Sequence, residues 1–167
     1  MNMILALECA AACVVFGVVI TGSTLCNKTA WLHEYAPEVQ KRFLEKNPDY
    51  VPKDKKTKTA SLIAAKCAVS LLFAAVLAAL AVFAGARDFM TGALYSYIIW
   101  TVVNVFDVIV LDIGIFAHWK KVRLPGTEDM DREYASNKWK SIRDGFFGIL
   151  IGIPVCAICA AAIELIF

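Results

Sequence analysis

The sequence predicts an all-α integral membrane protein, a bundle of four transmembrane helices with two basic cytoplasmic loops. Three observations predict it. Of the 167 residues, 59% are hydrophobic and 19% charged, with a mean hydropathy of +0.62, well above an ordinary soluble domain. The apolar residues gather into four runs, Ile4–Cys26, Ala60–Gly85, Phe89–Trp119 and Phe146–Phe167, each long enough for the roughly 20 residues a helix needs to cross hydrocarbon. Between the runs lie nearly all the basic residues. A disordered chain is excluded by the apolar excess, and a nucleic-acid binder is disfavoured by a net charge of only +2.

The first run resembles a secretory signal in position only. It is long, lacks a basic leading segment and is followed by three further spans, so it is expected to remain as a helix. A barrel is excluded for the second run, because strands crossing a membrane need only about ten residues. Of the 17 Lys and Arg, eight lie between the first two runs and seven after the third. Short loops rich in Lys and Arg stay in the cytoplasm. Both termini and the short turn from Gly85 to Asp88 are therefore expected on the other side.

In the first basic loop, Pro37 stands where a helix begins, and a short helix is expected over Pro37–Lys46. Asn47, Pro48, Pro52 and the charge run Lys53–Lys58 read as a connector, with Trp31, Tyr35 and Tyr50 at the membrane interface. The second loop opens with a turn, Leu124-Pro125-Gly126-Thr127. An acidic cluster follows at Glu128, Asp129, Asp131 and Glu133. It lacks the spacing of a calcium loop, so no metal site is expected and a helix start is the simpler reading.

Small residues recur every fourth position in three spans: Gly148, Gly152, Cys156 and Ala160 in the last, Cys9, Cys13, Gly17 and Thr21 in the first, Ser70, Ala74 and Ala78 in the second. Such stripes let helices approach closely, within one chain or between identical chains. Three cysteines belong to them and read as packing residues. Cys156 and Cys159 also form a C-x-x-C pair that a thiol oxidoreductase could use, although no loop carries the second pair such an enzyme needs.

The third span carries the polar chemistry. At about 100° per residue, Tyr97, Trp100, Asn104, Asp107, Gly114 and His118 fall within one arc of roughly 100°. A carboxylate deep in a bilayer is costly unless paired, protonated or wetted, which makes Asp107 a site candidate, with hydrogen-bonded glue to Asn104 or another helix as the bland alternative. Asp112 falls on an adjacent face. Counted from the helix ends, Lys66 and Asp112 both lie roughly 10 Å inside the membrane, so an ion pair between them is expected, unless Lys66 extends to the interface.

The residues Gly92-Ala-Leu-Tyr-Ser-Tyr97, Trp100, Asp107, Asp112, His118 and above all Pro125-Gly-Thr-Glu-Asp-Met130 give the second half of the chain its likeness. It resembles a group of small bacterial four-span membrane proteins of uncharacterised activity. That resemblance implies a bacterial inner-membrane setting and no particular reaction or cofactor. The topology is also similar to that of the membrane proteins of eicosanoid and glutathione metabolism, without their arginine, asparagine and glutamate motif in the second helix. Two function classes follow. One is a small transporter or channel-like protein in which Asp107 and Asn104 bind a proton, cation or small solute and His118 lies on the route to the cytoplasm. The other is a membrane-embedded enzyme for a lipophilic substrate, with His118 or Asp112 as base and Arg123 holding an anionic group. A scaffold without chemistry is the third reading.

Overall fold

A computed structural model describes the backbone of residues 3–29, 32, 35–50, 59–136 and 138–167, and their side chains except over 59–70. Among the described residues the chain is helical, with no strand. The elements are α1 (Met3–Cys26), α2 (Pro37–Lys46), α3 (Thr59–Phe83), α4 (Phe89–Phe106), a π-helix continuing α4 (Asp107–Phe116), a single 3-10 turn (Lys120–Val122), α5 (Asp131–Ser136) and α6 (Lys138–Ile166). Among the described residues three stretches are long and apolar enough to cross a membrane, Met3–Cys26, Phe89–Phe116 and Asp131–Ile166, and Leu71–Phe83 is a shorter apolar helix. Broad apolar exposure accompanies them: Val14, Val15, Val18 and Val19 on α1 and Ile151, Ile153 and Ile158 on α6 are all open, as lipid-facing side chains are.

The chain divides into two compact units. The first comprises Met1–Ala10, Tyr50–Thr101 and Ile149–Phe167. Its α3–α4 turn is set by short-range chemistry. Gly85 takes a left-handed φ of 104°, and Ala86 N donates to Ala81 O at 2.9 Å while Gly85 N donates to Val82 O at 3.0 Å, a Schellman ending that glycine permits at no steric cost. Asp88 then caps α4, its Oδ1 accepting from Thr91 N at 3.0 Å while the Thr91 hydroxyl faces Asp88 N at 3.4 Å. The Thr91 backbone amide, and the Thr91 hydroxyl 2.9 Å from Oδ2, hold the Asp88 carboxyl below its ordinary range. Arg87 donates to the Val82 and Ala86 carbonyls and lies 4.5 Å over the Phe167 ring.

In this unit α4 and α6 pack without a gap. A Cβ on Gly152 would overlap the Trp100 indole, and one on Gly92 would stand 3.2 Å from Ala160 Cα. Trp100 in turn meets Phe73 edge-on at 5.5 Å. The small stripe of the last span is thus used inside the chain. Cys156 belongs to it, and both Cys156 and Cys159 are buried free thiols; Cys159 Sγ donates to Ala74 O at 3.4 Å.

The second unit comprises Ala11–Asp49 and Val102–Gly148. It holds a small core of its own, formed by Tyr35, Ala36, Val39 and Phe43 from α2 and its approach, and by Val122, Leu124, Thr127, Met130 and Tyr134 from the second basic loop. The short helix expected over Pro37–Lys46 has those bounds. Two readings differ. Tyr35, expected at the interface, is buried, and α6 begins at Lys138, eight residues before the expected span, because the stretch from Lys138 to Gly145 has no proline to stop it.

Candidate functional site

The helix that carries the polar residues changes geometry where they begin. From Asp107 to Phe116 the backbone is π-helical, with hydrogen bonds from each residue to the fifth before it. In an α-helix residues four apart stack; in a π-helix residues five apart do so. Asp107 and Asp112 are five apart. The adjacent face expected for Asp112 on uniform α geometry is therefore replaced by nearly the same face as Asp107.

Both aspartates line one cavity of about 380 Å³ in the second unit, a volume suited to a small organic molecule. Its wall from α4 and the π-helix is Asn104, Asp107, Val108, Asp112, Phe116 and Ala117; α1 contributes Phe16 and Ile20, and the approach to α2 contributes Tyr35 and Ala36. Opposite lie Tyr134 of α5 and Lys138, Lys140, Ser141, Asp144 and Gly145 of α6. The lining is mixed, with aromatic and aliphatic groups beside three carboxylates and two ammoniums.

Glycine fixes the inner end. Cβ atoms on Gly145 and Gly148 would overlap Val108 and the Asn104 amide nitrogen respectively, so α6 can lie flat on the third span there. Among the described residues Asn104 Oδ1 is buried at this end without a hydrogen-bond partner, a position that costs about 1–3 kcal/mol unless something donates to it. Because Asn104 meets Gly148 while Val108 meets Gly145, the two helices run antiparallel in this unit. Moving outward from Asn104, the lining passes Asp107 and Asp144, then Asp112 with Lys140 and Ser141, and ends at Phe116, Ala117, Tyr134 and Lys138.

That outer end is bordered by the folded loop. The Tyr35 hydroxyl donates to Val122 O at 3.0 Å, and its ring meets Phe116 at 6.4 Å and Tyr134 at 5.6 Å, both edge-on. The Tyr134 hydroxyl accepts from Leu124 N at 3.1 Å and lies 2.9 Å from Thr127 Oγ1, which itself donates to Leu124 O. Burial, with Tyr134 alongside, pushes the Tyr35 phenol well above its ordinary range. The turn expected at Leu124–Thr127 is present. Gly126 takes a φ of 81°, and its carbonyl accepts from Lys46 Nζ of α2 at 2.8 Å.

The structure brings together three of the sequence-derived candidates, Asn104, Asp107 and Asp112. His118 is exposed, with Nδ1 2.9 Å from Ile113 O and 3.2 Å from Gly114 O, and is not among the lining residues. Since carbonyls only accept, Nδ1 carries the proton. Tyr97 and Trp100 belong to the first unit, and Trp100 serves the packing already described. Arg123 is 2% exposed and holds the folded loop: it donates to Glu128 O at 2.8 Å, Ala117 O at 3.3 Å and the Asp131 carboxylate, and lies 4.8 Å over the Tyr134 ring. The Lys66 side chain, and with it the expected pair with Asp112, lies outside the described residues. No group of three or more His, Cys, Asp or Glu side chains could hold a metal ion among the described residues. Sequence reasoning missed Tyr35, Tyr134, Lys138, Lys140 and Asp144 as lining residues. The period of Lys140 and Asp144, four apart, was the available signal.

No protein family, no curated protein and no solved structure matches this chain.

Proposed function

We propose that this chain is an integral membrane protein that binds a small polar or charged solute in the cavity of its second unit, entering from the cytoplasm, as a transporter does. The observation that carries the reading is the lining itself: Asn104, Asp107 and Asp112 of an apolar span face a space large enough for a solute. Along the third span the lining runs from Asn104 to Ala117, at most roughly 20 Å of helix. A polar space extending that far into a spanning segment suits a binding pocket better than a shallow cleft at the lipid surface. Of the residues an enzyme reading would rely on, Arg123 is engaged in holding the folded loop and His118 is turned to the backbone.

The same reading includes four spans, with Thr59–Phe83 as the second, and both basic loops in the cytoplasm. It includes the bacterial inner membrane as the setting, on the resemblance of the Pro125–Met130 run. Assembly of identical chains would draw on open faces such as Val14, Val15, Val18 and Val19 of α1, since the small stripe of α6 is occupied within the chain.

The test is thermal unfolding of the purified protein against small solutes of each charge class. A solute present at 100 times its Kd should stabilise by about 2.7 kcal/mol, and Asp107→Asn should abolish that gain while leaving the unliganded protein folded. Failure of every charge class to stabilise the wild type would leave the scaffold reading in place of this one.

A further inference from the structure

Resting on that binding reading, the chemistry of the cavity's two ends narrows the ligand. The inner end presents acceptors. Asp107 and Asp144 supply carboxylates, and Asn104 Oδ1 is a buried acceptor without a partner among the described residues. The Asn104 nitrogen is pressed against α6 at Gly148. The outer end differs, with Lys138 at the level of Phe116 and Tyr134, and Lys140 one turn inward at the level of Asp112.

An acceptor-rich pocket end asks for a group with several donors. A primary ammonium has three and no acceptor, and its bonds to carboxylates are the charge-assisted kind. A bare metal ion is a poor fit, since the cavity of about 380 Å³ is far larger than an ion and no set of three ligating side chains converges among the described residues. The remaining volume lies against apolar groups, Phe16, Ile20 and Val108, so the ammonium carries an apolar body. At the outer end Lys138 repels a second positive charge.

We infer that the cavity takes an amphiphilic molecule with one primary ammonium, inserted head-first toward Asn104 and Asp107, whose far end is uncharged or anionic. The charged groups that bear on this placement are Asp107 and Asp112 from the third span, Lys138, Lys140 and Asp144 from α6, and Arg143, which bonds Asp144 at 3.2 Å from outside the lining. α1 contributes no charge to the lining.

Calorimetry on the full chain in lipid nanodiscs would test it with hexylammonium, hexanoate, hexanol, hexamethylenediamine, and sodium and potassium chloride as probes. Hexylammonium is expected to bind, and Asp107→Asn to weaken it by roughly 10- to 100-fold, the worth of one hydrogen bond to a charged group. Asn104→Asp keeps the shape and adds a carboxylate, so it should tighten hexylammonium, a gain that a merely structural asparagine would not give. Hexamethylenediamine should bind at least about tenfold more weakly than hexylammonium. Equal binding of the diamine would overturn the orientation. Binding of hexanoate, hexanol, sodium or potassium in place of hexylammonium, if lost in Asp107→Asn, would overturn the ammonium and leave the cavity as a solute site. Absence of binding by every probe would overturn both.

Discussion

Packing on the third and last helices differs between the two units, and the difference shows what makes a cavity in an apolar bundle. In the first unit the third helix is α-helical, and small residues bring α6 against it until Trp100 lies on Gly152 and Gly92 on Ala160. The polar groups at its turn are satisfied locally, as at the Asp88 cap. In the second unit Gly145 and Gly148 again bring the helices together, at Val108 and Asn104. Beyond them the third helix loosens into π geometry, the facing residues of α6 are lysine, serine and aspartate, and a space remains. Small-on-large packing excludes a ligand; an underpacked π segment with charged lining admits one. π turns recur at functional positions for this reason.

The largest expected effect comes from separating the two aspartates around the helix. Inserting one alanine between Ile109 and Val110 sets Asp107 and Asp112 six apart, roughly 120° from each other at 100° per residue. Solute binding should be lost, by roughly 100-fold or more, while circular dichroism retains the helical content. Unchanged binding would show that the two aspartates need not share a face.

Overpacking of the first unit should come next. Gly152→Leu must displace the Trp100 indole and is expected to destabilise by about 3 kcal/mol, read as thermal unfolding in detergent. Gly22→Leu on α1, where a Cβ meets nothing within 4 Å, is the neutral control. Equal stability of the two variants would contradict the tight packing of α4 on α6.

The folded loop supplies the smallest effects, through pH. Glu128 and Asp129 are held below their ordinary range, each first by its own backbone amide, then Glu128 by Gly126 N and Asp129 by Arg42. Carboxyls lowered in the folded state contribute stability above their unfolded values near pH 4, and that contribution is lost as pH falls through the folded ones. Tyr35 is raised by burial, so its contribution is complete below its unfolded value near pH 10 and is lost as pH rises toward the folded one. Limited proteolysis between Lys120 and Lys138 should therefore quicken below about pH 4 and above about pH 10. A flat rate across that range would mean that these groups do not hold the loop.

Much of the fold was legible because its signals are local. Apolar run length marked Met3–Cys26 and Phe89–Phe116 almost to the residue, and Pro37 marked the start of α2. The site was legible in part. Asn104 and Asp107 follow from one helical period, but Asp112 does not, because the 100° step assumes α geometry and the sequence from Asp107 to Phe116 carries no proline or other signal of a π-helix. Arg123 shows a different limit: beside Lys120 and Lys121 it reads as a cation that could hold an anionic group, and only the bonds to Glu128, Ala117 and Asp131 reveal a buried anchor. Lys138, Lys140 and Asp144 were hidden by placing the last span at its apolar onset, although the helix starts earlier.

The shared face of Asp107 and Asp112 is the claim on which the site rests, and thiol accessibility tests it most directly. In a variant with the native cysteines replaced, Asp107→Cys, Asp112→Cys, Ile109→Cys and Val110→Cys would each be exposed in membranes to a charged, water-soluble thiol reagent. Ile109 and Val110 point out of the chain, 58% and 40% exposed, into what is lipid for a spanning helix. Modification at both 107 and 112, with 109 and 110 unreactive, is the result expected of one wet cavity. Modification at only one of the two aspartate positions would contradict it.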